Sequence, residues 1–471
     1  MKWTLQQIAE WSQGQIISTH QTEFSEFSTD TRKPCDKKVF IALKGDQFDA
    51  HDFLDQAAAQ GAGLLLVHRM DPRFDTLKNK ISIIKVDDTL SALQSWAKHY
   101  CKTLRAQVFA ITGSNGKTTT KEFLAKILST TKKTYFTEGS FNNHWGLPFS
   151  ILSANSDHQC LVLEMGMNHA GEITNLVHIA DPDFVVCTMV GSAHIEFFGS
   201  LKAIAKAKEE IYQETRESTV RVFNQDQDLT FDMMYPVAKK YPASRMLSYS
   251  VKNDETDVYM KVEKSTGQGL QIVGSIAALK GSAIVPVFGD HNVVNLMAAA
   301  CLAYASGMKP EQIWAALPLC KSTWGRNEFI KTKEDVEIIF DGYNANVDSM
   351  KVLFSNVQAL QVSGVKIAAL GQMKEQGAAA PELHREVAAT AAKSGFEFIY
   401  FYGENFKDFE AGLKSAGYSN YIVEPEFTEK IKSHLKSTVT KGDLLAIKGS
   451  RGAATENYIK LFSAIDWKPK T

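Results

Sequence analysis

The stretch "TGSNGKTTT", from Thr112 to Thr120, has residue types and a spacing suited to binding phosphate. It follows an apolar, strand-like run and precedes an amphipathic helix, so backbone N–H groups and the helix N-terminus would face an anion. Lys117 would neutralise the outer phosphates of a nucleotide, and Thr118 could reach Mg²⁺. The loop is shorter than the usual motif, because Ile111 stands where a glycine is expected. The predicted ATP-binding loop consists of Gly113, Ser114, Asn115, Gly116, Lys117, Thr118 and Thr119.

Three more chemically capable residues follow predicted central strands. Glu164 lies in "LEMGMNHAGEI", His194 in "MVGSAHIEFFGS", and Lys208 in the helical stretch "LKAIAKAKEEIY". Glu164, His194 and the hydroxyl of Thr118 could hold Mg²⁺ between the protein and the phosphates, although histidine is an uncommon magnesium ligand. From the residues alone, Glu164 could equally be a structural acid, His194 a packing histidine, and Lys208 part of a solvated helix face.

A switch GTPase is the first alternative for such a loop, because "TKED" at 332–335 resembles a guanine-reading motif. That tetrapeptide lies far downstream of the loop, between two strand-like runs. We therefore predict that it forms the turn of a β-hairpin.

The length of 471 residues predicts about three domains, and the pattern of apolar runs divides the chain accordingly. We predict a small α/β unit at 1–104, a P-loop unit with a mostly parallel sheet at 105–313, and a Rossmann-like α/β unit at 314–471. Between Leu247 and Phe288 the alternation has period two, which predicts an antiparallel β segment. In open sheets of this kind, ligands bind beyond the carboxyl ends of the strands.

Composition and charge exclude several classes of protein. Hydrophobic residues make up 44% of the chain, charged residues 22%, and the formal net charge is −1, so a nucleic-acid partner is not expected. The six cysteines form no C-x-x-C pair, which indicates reduced thiols. We see no signal peptide and no membrane-spanning run, and we expect a cytoplasmic monomer without a membrane partner.

The motifs together resemble the Mur ligases, the ATP-dependent amide-forming enzymes of peptidoglycan precursor synthesis. In chain order they read "TGSNGKTT", "FNNHWGLP", "EMGMNHAGEI", "GSAHIEFFGS", "AKAKEEIY", "GDHNVVN", "GRNE", "DGYNANVDSM" and "KGSRG". The segment "STDTRKPCDKKVFIALKGDQFDAHDF" is similar to the part of the family that holds the UDP end of the substrate. "DGYNANVDSM" resembles the pattern of the members that join D-alanyl-D-alanine to UDP-N-acetylmuramoyl-tripeptide. The resemblance implies that ATP phosphorylates the tripeptide carboxylate and that the dipeptide amine attacks the acyl phosphate.

The resemblance also implies roles for individual residues. Lys117, Glu164, His194 and Lys208 would be catalytic. Thr118, Glu164 and His194 would serve two Mg²⁺ ions, together with Lys208 as a carbamate formed with CO₂. Asn292 and Asn295 would approach the adenine, and Arg326 and Asp341 the phosphates and ribose; from the residues alone, the asparagines could instead cap a helix. The implied substrate-binding residues are Thr31, Arg32, Lys44, Gly45, His51, Asn142, Asn143, Tyr343, Asn344, Asn346, Lys448, Ser450 and Arg451.

Three positions depart from the family pattern. Val347 stands in place of proline, Gln372 in place of the aspartate of "L-G-D-M", and Ala50 in place of a glycine. The first removes a fixed φ near Asn346, and the second removes a charge near the expected acceptor site. The alternatives that remain are a sibling Mur ligase or folylpolyglutamate synthase with another acceptor, and a nucleotide-binding regulator without turnover. We also expect the third unit to close on the nucleotide.

Overall fold

Strands from three successive segments of the chain build three large sheets. The structure is a computed structural model that describes residues 2–45, 47–69, 72, 74–193, 195–266, 269–465 and 467–469. A small two-stranded sheet accompanies the first of the large ones. The prediction of an α/β fold with mostly parallel sheets is confirmed.

The first segment forms a five-stranded sheet in the order β2-β7-β6-β5-β4, with β1 and β3 paired beside it. Its strands are β1 (Trp3–Thr4), β2 (Gln15–Ser18), β3 (Glu23–Phe24), β4 (Phe27–Ser28), β5 (Val39–Ile41), β6 (Leu64–Val67) and β7 (Ser82–Lys85). Its helices are α1 (Leu5–Trp11), α2 (Leu54–Ala59), α3 (Phe74–Leu77) and α4 (Thr89–Thr103). The strands β5, β6 and β7 lie in the apolar runs "VFIAL", "GLLLV" and "ISIIKV", which are strand-like in the sequence. The two-residue strands were not predicted, because they contain no apolar run.

The second segment forms a nine-stranded sheet in the order β16-β15-β14-β13-β12-β11-β8-β10-β9. Its strands are β8 (Gln107–Thr112), β9 (Thr134–Phe136), β10 (Cys160–Glu164), β11 (Phe184–Cys187), β12 (Val220–Asn224), β13 (Met246–Ser250), β14 (Val258–Thr266), β15 (Gly269–Ile276) and β16 (Leu279–Val285). Its helices are α5 (Lys117–Leu128), α6 (Gly146–Ser153), α7 (Glu172–Ala180), α8 (Ile195–Phe198), α9 (Leu201–Gln213), α10 (Asp228–Phe231), α11 (Met234–Lys240) and α12 (Asn292–Ala305). Strands β14, β15 and β16 pair antiparallel at one flank, as predicted.

The third segment forms a six-stranded sheet in the order β17-β18-β22-β19-β20-β21. Its strands are β17 (Glu328–Lys331), β18 (Glu337–Asp341), β19 (Lys366–Gly371), β20 (Phe398–Tyr402), β21 (Tyr421–Glu424) and β22 (Leu444–Lys448). Its helices are α14 (Val347–Ala359), α15 (Ala380–Ala392), α16 (Phe406–Ser415), α17 (Glu429–Thr438) and α18 (Glu456–Ile459). Helix α13 (Pro310–Ala316) precedes this sheet in the chain and packs on β16, α12 and α5 of the second segment. The "TKED" stretch joins the antiparallel pair β17 and β18, so the prediction of a hairpin turn is confirmed.

Helix α4 packs against both the first and the second segment. Trp96 packs edge-on against Trp3, with ring centroids 4.9 Å apart, while the Tyr100 hydroxyl donates a hydrogen bond to the carbonyl of Ala154 at the end of α6. The Cys101 thiol lies 3.6 Å from the carbonyl oxygen of Ala180, the last residue of α7. The first and second segments therefore share one continuous core.

The predicted ATP-binding loop, residues 113–119, lies where the order of strands in the sheet reverses direction. The chain places β10 on one side of β8 and β11 on the other, which opens a crevice at the carboxyl end of β8. Helix α12 packs on α5 behind this crevice and is apolar on nearly all sides, as a fully enclosed helix must be. Among the helices described, none has both the length and the apolar character needed to cross a membrane.

Candidate active site

Two glycines shape the loop between β8 and α5. Gly113 has φ +148° and Gly116 has φ +83°, values that favour glycine. A Cβ atom on Gly113 would lie 1.9 Å from Oγ1 of Thr188, and one on Gly116 would lie 2.3 Å from Oδ1 of Asn295. The loop thus passes so close to its neighbours that neither position has room for a side chain.

Lys117 begins α5 and folds back over this loop. Its Nζ donates a hydrogen bond to the Gly113 carbonyl oxygen at 2.7 Å. Burial lowers the pKa of Lys117, and the nearby carboxylate of Glu164 opposes that change. A cation held in this way can neutralise phosphates bound at the loop.

Thr118 and Glu164 form a pair of oxygen donors beside the loop. Their hydroxyl and carboxylate oxygens are 2.9 Å apart, and the second Glu164 oxygen accepts a hydrogen bond from Asn142 at 2.7 Å. Within the described ranges there is no group of three or more His, Cys, Asp or Glu side chains that could hold a metal. A hydroxyl and a carboxylate oxygen are ligand types that Mg²⁺ prefers, so the pair fits an ion that takes its other ligands from phosphates and water. His194 lies outside the described residues.

Lys208 is buried on α9, with only 1% of its surface exposed. Burial, and secondarily the positive charge of Lys117, lower its pKa to about 7. No ion pair joins Lys208 to another side chain in the described part of the chain, whereas Lys206 is exposed and bonds Glu209 at 2.8 Å. Lys206 thus lies on a solvated face of α9, whereas Lys208 does not. An amine that is readily neutral fits carbamate formation, since CO₂ adds to the unprotonated form.

A cavity of about 290 Å³ lies between the loop and the third segment. Asn295 lines it, and its amide donates to Oδ1 of Asn292 at 3.0 Å, while its own Oδ1 accepts from Thr120 at 3.3 Å. Asn292 in turn donates to the Phe288 carbonyl at 2.7 Å and does not line the cavity. The two asparagines therefore do not cap the helix α12. They form a hydrogen-bonded pair in which Asn292 orients the amide of Asn295.

Residues of the third segment enclose the same cavity. Asp341, at the end of β18, forms a buried ion pair with Lys448, which also donates to the Asn344 carbonyl at 3.0 Å. Burial lowers the pKa of Lys448, and the charge of Asp341 opposes that change. Both side chains line the cavity, and Arg326 stacks 4.2 Å from the ring centre of Tyr343. Lys448 therefore holds the loop that follows β18.

Direct contacts join the second and third segments across the cleft. Arg326 donates to Oγ1 of Thr118 at 3.3 Å, and Asn346 donates to Oδ1 of Asn115 at 3.1 Å. The cleft is thus closed at the phosphate loop.

Asp348, on the first turn of α14, adds a contact that the sequence did not predict. One of its carboxylate oxygens accepts hydrogen bonds from the backbone N–H and the hydroxyl of Ser192, at 2.9 and 2.8 Å. The loop that precedes His194 in the sequence is therefore anchored to the third segment.

A second cavity, of about 390 Å³, opens on the other side of Lys117 and Glu164. Predicted substrate residues line it together with others that were not predicted. The predicted ones are Asn142, Asn143, Tyr343, Asn344 and Arg451, and the others include Ser140, Glu172 and Glu375. Ser450 is buried nearby, where its hydroxyl accepts from the Lys374 N–H at 2.9 Å. The only sequence signal for Glu375 was its place in a polar cluster after a strand.

A third cavity, of about 770 Å³, lies in the first segment, with Trp145 of the second segment on its wall. Thr31, Arg32 and Gly45, which the resemblance implies as substrate-binding residues, line it. His51 does not line it: its ring is buried, with Nδ1 bonded to Asp49 at 2.7 Å and Nε2 accepting from the His68 N–H at 3.1 Å. Lys44 pairs through its backbone with Asp49 beside the cavity. His51 and Lys44 are thus structural neighbours of the pocket rather than parts of its wall.

Known proteins resemble this chain over nearly its full length. The Mur ligase middle domain matches residues 111–303, and the Mur ligase glutamate ligase domain matches residues 325–451. The UDP-N-acetylmuramoyl-tripeptide–D-alanyl-D-alanine ligase of Bacillus subtilis is 34% identical over 466 residues, 98% of each chain. A crystal structure of MurF from Acinetobacter baumannii has a TM-score of 0.87 and 28% identity, with 97% of this chain and 98% of that chain covered. MurF from Thermotoga maritima in complex with ADP has a TM-score of 0.80 and 27% identity, with 93% and 96% covered. This chain belongs to the Mur ligase family, in the branch of the UDP-N-acetylmuramoyl-tripeptide–D-alanyl-D-alanine ligases.

Proposed function

We propose that this protein joins D-alanyl-D-alanine to UDP-N-acetylmuramoyl-tripeptide, using ATP to activate the tripeptide carboxylate as an acyl phosphate. The observation that carries this function is the closed cleft in which the phosphate loop, with Lys117 and the Thr118–Glu164 pair, meets Arg326. Phosphoryl transfer needs positioning and charge neutralisation rather than a covalent nucleophile. The cleft supplies both.

ATP would lie across the two cavities that meet at the phosphate loop. The adenosine part would occupy the 290 Å³ cavity beside Asn295 and Asp341, with Asn292 fixing the orientation of Asn295. The phosphates would follow the loop from Gly113 to Thr119 toward Lys117 and Arg326. The related Thermotoga maritima structure is described as a complex with ADP, which supports nucleotide binding here.

Mg²⁺ would supply charge neutralisation between the phosphates and the reacting carboxylate. Thr118 and Glu164 would hold it, with His194 contributing according to the family pattern. The buried amine of Lys208 would carry the CO₂-derived carbamate, which replaces a cation by an anion suited to a second Mg²⁺. The family resemblance implies this assignment, and the burial of Lys208 and its lowered pKa support it.

The nucleotide-linked substrate would extend from the first segment to the phosphate loop. Its UDP end would occupy the 770 Å³ cavity at Thr31 and Arg32, and its peptide end the 390 Å³ cavity at Asn142 and Arg451. The corresponding domains are 1–104 for the UDP end, 105–313 for ATP and 314–471 for closure. An ATP-dependent reaction suits the cytoplasmic location that the sequence predicts.

Phosphate release tests this function. The protein is incubated with ATP, Mg²⁺ and UDP-N-acetylmuramoyl-tripeptide, with and without D-alanyl-D-alanine, and the product is identified by mass. We expect release to require both substrates and to yield the pentapeptide. Release with the tripeptide nucleotide and a different acceptor would instead indicate a sibling ligase, and no release with any pairing would indicate a nucleotide-binding regulator.

A matched pair of variants ties the activity to the phosphate loop. Lys117→Met removes the cation at the loop and should lower kcat/KM by at least about 100-fold. Lys126→Met changes an exposed lysine on the same helix and should leave the rate unchanged. Equal rates for the two variants would exclude the assigned role of Lys117.

A further inference from the structure

Lys121 is a fully buried lysine on α5, one turn beyond Lys117, and it takes no direct part in the proposed reaction. Its Nζ donates hydrogen bonds to the backbone carbonyl oxygens of Thr137 and Gly139, the second at 3.2 Å. A carboxylate oxygen of Glu122 lies 3.1 Å from the same nitrogen. The ammonium group of Lys121 is therefore held by a loop of the chain rather than by solvent.

The stability of the fold does not by itself account for a lysine at this position. Apolar side chains of similar size often replace a buried ion pair without loss of stability. The same helix buries Phe123, Leu124 and Leu128, whose side chains are apolar. An apolar side chain could not bind two backbone carbonyl oxygens, so the contribution specific to Lys121 is its hold on the loop.

This loop, residues 137–143, follows β9 and contacts the backbone of Glu164. The Thr137 N–H continues the pairing of β9 with β10 by donating to the Val162 carbonyl at 3.0 Å. The next bond of a parallel pair would join the Glu164 N–H to the Thr137 carbonyl oxygen, but Lys121 binds that oxygen. The Glu164 N–H donates instead to Oγ1 of Thr137, at 3.3 Å. Lys121 and Glu164 are thus linked through a single residue.

The other end of the 137–143 loop contacts the side chain of Glu164 and reaches the third segment. Asn142 donates to a Glu164 carboxylate oxygen at 2.7 Å, and its own carbonyl accepts the Gly166 N–H at 2.8 Å. A Cβ atom on Gly166 would lie 2.9 Å from the Asn142 amide, so the two chains pass in close contact. The Ser140 hydroxyl is hydrogen-bonded to the Tyr343 hydroxyl across the cleft. The loop therefore constrains both the backbone and the carboxylate of Glu164.

We propose that Lys121 is a positioning residue that acts through the 137–143 loop to fix the carboxylate of Glu164 for Mg²⁺. Residues that hold a metal ligand from behind orient it, and their loss typically weakens metal binding by about 10- to 100-fold. Lys117 and Lys121 lie on one face of α5, so the same helix would position the phosphates and, through the loop, their metal ion. This inference rests on the proposed function, because it requires Glu164 to hold the metal.

Metal binding distinguishes this role from a purely structural one. Lys121→Met keeps the length of the side chain but cannot bind the loop. Mn²⁺, which suits the same oxygen ligands as Mg²⁺, is titrated in the presence of ADP and followed by its electron paramagnetic resonance signal. We expect Lys121→Met to bind Mn²⁺ about 10-fold more weakly than the wild type or worse. ADP without metal, measured by calorimetry, should bind both proteins within about twofold, because the phosphate loop is unchanged.

Lys132→Met is the matched control. Lys132 is half-buried just beyond the other end of α5, where it donates to Oε1 of Gln107 at 2.6 Å and to the Ser306 carbonyl at 3.4 Å. Gln107 begins β8, at the end of the strand away from the phosphate loop. Lys132→Met loses comparable hydrogen bonds and should bind Mn²⁺ like the wild type. Equal weakening in the two variants, or wild-type Mn²⁺ affinity in Lys121→Met, would overturn the assignment.

A substitution in the loop provides a test that does not depend on the folding of Lys121→Met. Thr137→Val keeps the shape of the side chain but removes the hydroxyl that accepts the Glu164 N–H. It should weaken Mn²⁺ binding by about 3- to 10-fold, the range for one hydrogen bond, whereas Thr137→Ser should bind like the wild type. Wild-type Mn²⁺ affinity in Thr137→Val would also overturn the inference. A wild-type protein that binds ADP but no Mn²⁺ would instead contradict the proposed function itself.

Discussion

Replacing Gly116 with alanine would disturb the phosphate loop and the nucleotide cavity through a single methyl group. That group would lie 2.3 Å from Oδ1 of Asn295 and 3.7 Å from Cβ of Thr188. Asn295 cannot yield freely, because it bonds both Thr120 and Asn292 and only 8% of its surface is exposed. The clash therefore has to break a hydrogen bond or move the loop.

The expected free-energy cost of Gly116→Ala has two parts, one in the stability of the fold and one in ADP binding. The φ of +83° at Gly116 imposes about 1–2 kcal/mol of strain on an alanine, and this part lowers the free energy of unfolding. Displacing Asn295 loses a hydrogen bond in the nucleotide cavity, worth about 1–2 kcal/mol. The second part should weaken ADP binding by about 5- to 30-fold, since each 1.4 kcal/mol corresponds to a factor of about ten.

Gly307→Ala is the control for the first part. Gly307 follows α12, has φ +91°, and would place its Cβ with no heavy atom of the described residues within 4 Å. It should lose about 1–2 kcal/mol of stability and bind ADP like the wild type. Isothermal titration with ADP and urea denaturation measure the two quantities. The reasoning is refuted if Gly116→Ala binds ADP within twofold of the wild type, or if Gly307→Ala loses as much affinity as Gly116→Ala.

Three further variants test separate parts of the site. Lys208→Met should lower turnover by about 100- to 1000-fold while ADP still binds, because the charge-bearing group proposed to hold a second Mg²⁺ is lost. Near-wild-type turnover in bicarbonate-free buffer would contradict the carbamate role. Asp348→Ala and Ser192→Ala should each lower kcat/KM by about tenfold or more, and the double variant should lose no more than Asp348→Ala; fully additive losses would mean that the two residues act separately. Burial lowers the pKa of His291 to about 4 from 6.5. The unfolded chain therefore binds this proton more readily, and stability falls as the pH drops from about 6.5 toward 4. The free energy of unfolding of His291→Gln, measured by urea denaturation between these pH values, should depend less on pH than that of the wild type. An unchanged slope against pH would exclude His291 as the source of the pH dependence.

Residues near strand ends in the central sheet were predictable from the sequence. The phosphate loop follows β8 directly and Glu164 ends β10, and these two strands are parallel neighbours. Their polar residues therefore had to meet at one edge of the sheet. Thr118 and Glu164 meet there with oxygens 2.9 Å apart, as that reasoning requires.

Contacts that depend on the relative placement of separate sheets were not predictable. Nothing local to Asp348 indicates Ser192 as its partner, and nothing in "KGSRG" indicates that Lys448 pairs with Asp341. The burial of His51 was not predictable for a related reason, since a histidine in the wall of a pocket and one beneath the wall occupy the same place in the sequence. The loop near Val347 needs no proline, because Asn346 caps α14 by accepting the Ser349 N–H at 2.9 Å.

The packing of α4 has a consequence for synthesis of the chain on the ribosome. The apolar face of α4 stays exposed until α6 and α7 have been synthesised. Tyr100 bonds Ala154 at the end of α6, and Cys101 lies against Ala180 at the end of α7. The chain up to Ala180 must therefore be made before the helix that ends at Thr103 is fully covered. At ordinary elongation rates this delay lasts roughly 4–15 s, long enough for a chaperone to bind the exposed helix.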